Sequence, residues 1–165
     1  MPLPTHCPDC GAVVADAASA GHCSACGRAV YANARPAAGV FLLRGDRVLL
    51  VRRGAPPRVG AWDIPGGFLD EQEPPEQGAV REIAEELGWT LRPADLRLAL
   101  VSLNPWPEGA VLDVLYEANA PPGEPTLGDD ASEARWFSID DLPDDIAFDS
   151  SRQALQRWRE QRGPS

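Results

Sequence analysis

The chain of 165 residues contains no lysine, and its fifteen basic residues are all arginine. That excludes a Schiff-base enzyme and a P-loop with its lysine. No apolar run approaches the roughly 20 residues needed to span a bilayer, so no membrane partner is expected. The N-terminus, MPLPTHCPDC, lacks the pattern of a secretion signal, and a cytoplasmic location is expected. Positive charge is scarce: 25 acids stand against 15 bases, a formal net charge of -10. Nonspecific nucleic-acid binding needs a basic surface, so no nucleic-acid partner is expected. The same balance repels an anionic substrate unless a bound cation reverses the local field. A cluster of carboxylates able to hold a divalent cation is therefore the feature to seek. Hydrophobic residues make up 44%, enough for the core of one domain.

All four cysteines lie near the N-terminus, at Cys7, Cys10, Cys23 and Cys26, in the pattern C-x2-C-x12-C-x2-C. Each pair is followed by glycine, which permits a tight backbone turn. Two such knuckles place four thiolates around one tetrahedral centre, and the spacing predicts a structural zinc ribbon rather than two disulfides. Four thiolates close the coordination shell, so this centre is not catalytic, and His6 and His22 are expected to be bystanders. The ribbon carries few bases, which favours a packing or dimerisation role over nucleic-acid binding. The expected division is a zinc ribbon over residues 1–35 and a second domain over residues 36–165.

From Ala37 to Val51, two apolar runs flank Arg44-Gly45-Asp46-Arg47 and predict a hairpin. Short strands are expected at 61–64, stopped by Pro65-Gly66-Gly67, and at 96–103, 111–117 and 135–138. Helices are expected over 76–87, ended by Gly88, and over 149–162, with Asp149 or Ser150 as N-cap. Strands before and after helices imply a mixed sheet sandwiched by helices. Winding residues 79–88 at about 100° per residue brings Glu82, Glu85 and Glu86 within one arc, with Val80, Ile83, Ala84 and Leu87 opposite. Like charges so spaced repel, and a hard divalent cation would relieve them.

The stretch GFLDEQEPPEQGAVREIAEELGW fits G-x5-E-x7-R-E-U-x-E-E-x-G-U, with U a bulky apolar residue. The matching residues are Gly67, Glu73, Arg81, Glu82, Ile83, Glu85, Glu86 and Gly88, and Trp89 stands where an aliphatic residue is usual. This resembles the signature box of the Nudix hydrolases, which cleave nucleoside diphosphates linked to another moiety. The order of zinc ribbon, hairpin, box, D-D-x-x-E-x-x-W-F segment and A-F-D-S before the last helix is similar to zinc-ribbon Nudix proteins along nearly the whole chain. The resemblance implies an α/β/α sandwich with a mixed sheet, preceded by the small zinc ribbon. It implies Mg²⁺ or Mn²⁺ on Glu82, Glu85 and Glu86, assisted by a backbone carbonyl at Gly66 or Gly67, with water attacking phosphorus. Arg81 and Glu73 would form a salt bridge that orients these carboxylates. The general base would be a box glutamate or a carboxylate of the later loop, with Glu133 and Asp130 preferred to Asp129. Arg52, Arg53 and Arg58 are candidates for phosphate contact.

Ser102-Leu103-Asn104-Pro105-Trp106-Pro107-Glu108 keeps the serine and Pro-Trp-Pro core of the motif by which the NADH pyrophosphatases of the superfamily are marked. Its Gln, Phe and final Ser are not in place. Trp106 would stack on a nucleobase. ADP-ribose is the expected substrate. NADH, FAD, dinucleoside polyphosphates and oxidised dNTPs are alternatives, as is a non-catalytic nucleotide sensor; a homodimer is the assembly the resemblance implies.

Overall fold

The computed structural model describes residues 5–14, 20–106 and 109–162. These form nine strands and two α-helices. In chain order they are β1 (Ala20–His22), β2 (Ala29–Tyr31), β3 (Arg35–Arg44), β4 (Arg47–Arg53), β5 (Trp62–Asp63), β6 (Gly66–Phe68), α1 (Pro75–Leu87), β7 (Arg97–Trp106), β8 (Gly109–Asn119), β9 (Ala131–Ser138) and α2 (Asp149–Arg162). The chain divides into two compact units. One comprises Met1–Arg35 and Leu103–Leu112, the other Pro36–Ser102 and Asp113–Ser165. Among the described residues no helix is long and apolar enough to cross a membrane.

In the first unit β1 and β2 pair antiparallel. Gly11 donates its N–H to the Cys7 carbonyl at 3.0 Å, and Gly27 donates to Cys23 at 2.8 Å. Each knuckle thus closes on its own first cysteine. Cys7 and Cys23 are buried with Val30, whereas Cys10 and Cys26 are exposed.

The second unit is built on a sheet with the order β5-β4-β3-β8-β7, to which β6 adds on β3 and β9 on β4. The β3–β4 hairpin turns at Arg44↔Arg47, where the apolar run is interrupted by Gly45-Asp46. From Ala37 to Leu43 every residue of β3 is buried, because both faces of this strand are covered. Its side chains alternate between two cores. Val40 and Leu42 join Leu49, Val51, Ala79, Ile83 and Leu87 beneath α1. Phe41 and Leu43 join Val48, Leu50, Trp62, Leu155 and Trp158 beneath α2. The result is the expected α/β/α sandwich, with antiparallel ladders and a parallel bridge, Trp62↔Ile146, that makes the sheet mixed.

Three local expectations are corrected. On α1 the buried stripe is Ala79, Ile83 and Leu87, while Ala84 is exposed and Val80 half-buried. Residues four apart lie along one narrow ridge, and a small alanine beside that ridge gains little from burial. The helix α2 starts at Asp149 itself, so Asp149 and Ser150 occupy its first turn instead of capping it. The glycines after Pro65 do more than stop a strand. They form β6, the short ladder Ala37↔Phe68, Ala38↔Gly67 and Gly39↔Gly66, which draws this segment against the central strand.

Candidate active site

Helix α1 opens with Pro75 in its first turn and closes at Gly88, whose φ of 65° is the left-handed conformation that stops a helix without cost to a residue lacking Cβ. Its C-terminal carbonyls are taken up by the later loop: Thr126 N–H donates to Leu87 O at 2.9 Å and Gly128 N–H to Glu86 O at 3.0 Å. The loop that continues into Asp129 and Asp130 is therefore fastened to the helix end that carries Glu85 and Glu86. Trp89, the departure from the usual box, is buried in the core beneath α1.

Arg81 organises the acidic face. Its Nε and one terminal nitrogen donate to both oxygens of Glu73, at 2.9 Å each, and the same nitrogen reaches Phe68 O at 3.1 Å. The other terminal nitrogen bridges Glu82 at 2.7 Å and Glu85 at 3.0 Å. The Arg81 hydrogen bonds hold the Glu73 carboxyl down at about 2. Glu86 accepts the Gly66 N–H at 3.1 Å. Burial, reinforced by the charge of Glu82, pushes its pKa up to about 8. Burial also raises Glu82. Strand β6 approaches so closely that a Cβ on Gly67 would lie 2.5 Å from a Glu82 oxygen. A side chain there would fill the cradle in which the carboxylates meet the backbone.

Other candidates are placed differently. Glu133 and Arg52 face each other across β9 and β4 and are joined by an ion pair of 3.2 Å. Glu133 also accepts from Arg135 at 2.6 Å. The Arg52 guanidinium lies 4.6 Å from the ring centre of Trp62, which belongs to the core beneath α2. Arg52 and Glu133 thus form one cluster, apart from the Arg81 network. Arg53, by contrast, lies within electrostatic reach of Glu86. The carbonyl of Asp130 accepts from Gly54 N at 2.8 Å, which ties the later loop to the end of β4. Arg58 is exposed. Trp106 belongs to the first unit and ends β7. Pro107 and Glu108, which complete its motif, lie outside the described residues.

Asp63 is a site residue that sequence analysis does not single out. It is buried, and its oxygens accept from Arg53 at 3.2 Å, Ile64 N at 3.0 Å and Ser151 Oγ at 2.7 Å. A single Asp ahead of Ile-Pro-Gly-Gly carries no signal of such a role, and Ser151 lies 88 residues further on.

Both donor sets suit metal ions. The four cysteines are free, and their sulfur atoms all lie within 4.8 Å of one another. The Cys7–Cys26 and Cys10–Cys23 separations are 3.7 and 3.6 Å. Four thiolates at about 2.3 Å from a central zinc stand about 3.8 Å apart, whereas a disulfide needs about 2.05 Å. On α1 the donors are carboxylate oxygens, two of them desolvated and raised in pKa, the environment that a hard divalent cation relieves.

A family model described as NUDIX domain matches residues 33–158. The ADP-ribose pyrophosphatase of Methanocaldococcus jannaschii is 31% identical over 132 residues, 79% of this chain and 78% of that protein. The NAD-capped RNA hydrolase NudC of Stutzerimonas stutzeri is 33% identical over 125 residues, 74% of this chain but only 43% of that protein. Among solved structures, a NUDIX hydrolase from Nitrosomonas europaea aligns with a TM-score of 0.75 at 26% identity, covering 96% of this chain and 92% of that one. The NUDIX domain of Shewanella oneidensis NrtR, complexed with ADP ribose, aligns with a TM-score of 0.64 at 26% identity, covering 78% and 88%.

Proposed function

Because this chain belongs to the NUDIX family of hydrolases, we propose that it hydrolyses the pyrophosphate linkage of a nucleoside diphosphate derivative, with ADP-ribose as first substrate. The observation that carries the reading is the acidic face of α1, where Arg81 bridges Glu82 and Glu85, Glu86 accepts the Gly66 N–H, and the Glu82 carboxylate lies against Gly67. Glu82, Glu85, Glu86 and the Gly67 carbonyl would hold Mg²⁺ or Mn²⁺. Such an ion, when bound, neutralises pyrophosphate charge and makes water more acidic. Glu73 holds Arg81, and Arg81 in turn holds Glu82 and Glu85, so the carboxylates are oriented before substrate arrives. Arg53 contributes fixed positive charge beside Glu86. Cys7, Cys10, Cys23 and Cys26 hold a structural zinc, in a ribbon of residues 1–35 ahead of a hydrolase domain of residues 36–165.

The proton acceptor is a carboxylate of the later loop or of the box. Asp130 is preferred, since its loop is fastened to both α1 and β4, whereas Glu133 would first have to leave two arginines. Asp130→Asn should then lower kcat while metal affinity is kept. Full activity in both Asp130→Asn and Glu133→Gln would move the role to a box glutamate, Glu82 first.

ADP-ribose is preferred to NAD-type substrates because the ADP-ribose pyrophosphatase relative is matched over most of its length, while the chain spans about half the length of the NudC relatives. The zinc-ligand pattern and the Pro-Trp-Pro segment support NADH or an NAD cap as the second reading. A hydrolysis screen with Mg²⁺ over ADP-ribose, NADH, FAD, dinucleoside polyphosphates, oxidised dNTPs and NAD-capped RNA decides between them. No hydrolysis of any of these would leave a nucleotide sensor. The acidic balance favours a small-molecule substrate, and the assembly proposed is a homodimer, to be read by sedimentation.

A further inference from the structure

We propose that Asp63 and Ser151 are positioning residues that hold the Arg53 guanidinium for the substrate's phosphates, which makes the first turn of α2 part of the substrate site. The inference rests on the proposed pyrophosphate chemistry and extends it to residues outside the box.

Arg53 ends β4, and its guanidinium is fixed from three sides. Its Nε donates to Pro57 O at 2.7 Å, one terminal nitrogen donates to Asp63 at 3.2 Å, and Cζ lies 5.1 Å from the ring centre of Phe148. No hydrogen bond to the remaining terminal nitrogen is found among the described residues. The side chain keeps 26% of its surface exposed. A guanidinium held at Nε and at one terminal nitrogen, with the other terminal nitrogen open, is suited to a phosphate oxygen, since little side-chain entropy is left to lose on binding. Gly54, which follows Arg53, donates its N–H to Asp130 O at 2.8 Å, and Gly128 of the same loop donates to Glu86 O at 3.0 Å. On the other side, Asp63 shortly precedes Gly66, whose N–H is bonded to the Glu86 carboxylate at 3.1 Å. The segments that hold Arg53 and Asp63 are thus the ones tied to the carboxylate face of α1, where the pyrophosphate would be bound.

Asp63 is an expensive support. A buried carboxylate is tolerated only when it is paired and hydrogen-bonded, and here the third donor comes from α2. The approach to that helix is itself bound to β5: Trp62 N–H donates to Asp145 O at 2.9 Å, and Ala147 N–H donates to Trp62 O at 2.7 Å. Phe148, which bears on Arg53, follows directly. The Ala147-Phe148-Asp149-Ser150 motif and the Ser151 that follows it thus bring the Phe148 ring and the Ser151 hydroxyl to opposite ends of one Arg53–Asp63 pair.

The test compares wild type with Ser151→Ala, Ser151→Thr, Asp63→Asn and Gln156→Ala, the last an exposed control on α2. Melting temperature, KM and kcat for ADP-ribose, and affinity for inorganic pyrophosphate with Mg²⁺ by calorimetry are measured for each. Ser151→Ala should raise KM and weaken pyrophosphate binding roughly three- to tenfold, the scale of one hydrogen bond, with a smaller effect on kcat. Ser151→Thr should restore both, Asp63→Asn should exceed Ser151→Ala, and Gln156→Ala should match wild type. Should Asp63→Asn fail to fold, the serine pair decides alone. Variants that lose melting temperature but keep wild-type KM and pyrophosphate affinity would make the network purely structural and overturn the proposal, as would a wild-type protein that binds no pyrophosphate. If wild type binds pyrophosphate yet hydrolyses none of the nucleotides, the substrate reading fails while the affinities still test the positioning role.

Discussion

At Glu86 burial and like charge act together. It lies in low dielectric beside Glu82 and Asp63, with one backbone N–H for relief. Glu86→Gln should lower kcat by a factor on the order of 10²–10⁴, the scale of a lost electrostatic group, and leave the fold intact. Circular dichroism with single-turnover kinetics reads this, and activity within tenfold of wild type would move the metal elsewhere. Gly67 makes a second, steric prediction. Alanine at this position would place its Cβ on the Glu82 carboxylate. Gly67→Ala should therefore weaken Mg²⁺ activation, seen as a higher Mg²⁺ concentration for half-maximal rate. An unchanged Mg²⁺ titration would show that Glu82 can move aside freely.

At the scale of elements, α2 is anchored by Trp158. Its ring stacks on Phe41 at 4.8 Å and 11°, and its N–H donates to the buried Glu117 at 2.9 Å. Glu117 is also paired with Arg97 and Arg162. Trp158→Ala should cost about 3–5 kcal/mol, through lost burial and the cavity left beside Phe41. Urea denaturation would measure it, and a loss below about 1 kcal/mol would mean that the helix repacks. The four-cysteine segment, proposed to hold zinc, is an element of another kind, too small to be stable on a core of its own. Cys10→Ser should abolish the one zinc expected per chain by elemental analysis, while whatever hydrolysis survives still requires Mg²⁺. A wild-type protein without zinc would refute the assignment.

At the scale of the molecule, the buried carboxylates couple stability to pH. The ordinary glutamate value is near 4.5, and Glu86 stands at about 8 in the metal-free fold. Between these values the folded protein keeps a proton that the unfolded chain has released. This contribution to stability is complete below about pH 4.5 and is lost as pH rises through about 8. With chelator present, the melting temperature should fall from pH 5 to pH 8. Saturating Mg²⁺ should flatten the fall by binding the ionised form, and Glu86→Gln should remove much of it. A chelated wild-type protein that becomes more stable over that range would contradict the raised value.

Local order along the chain is enough for the long elements and the box, though not for β1, β2 or the β6 ladder. The β3–β4 hairpin, the α1 box with its three carboxylates, the Gly88 stop and the paired C-x2-C knuckles are short-range patterns, each set by backbone preference or by ligand spacing over a few residues. Three things depend on the tertiary structure. Which carboxylates are desolvated depends on how β6 and the 126–130 loop close over α1. That Glu133 is engaged by Arg52 and Arg135, while Arg53 is held by Asp63, depends on strand register, because successive side chains point to opposite faces of a sheet. The Asp63–Ser151 contact joins residues 88 positions apart through a single hydrogen bond. Neither residue type nor spacing announces such a pair, since its geometry exists only once β5 and α2 have been brought together by the cores on either side.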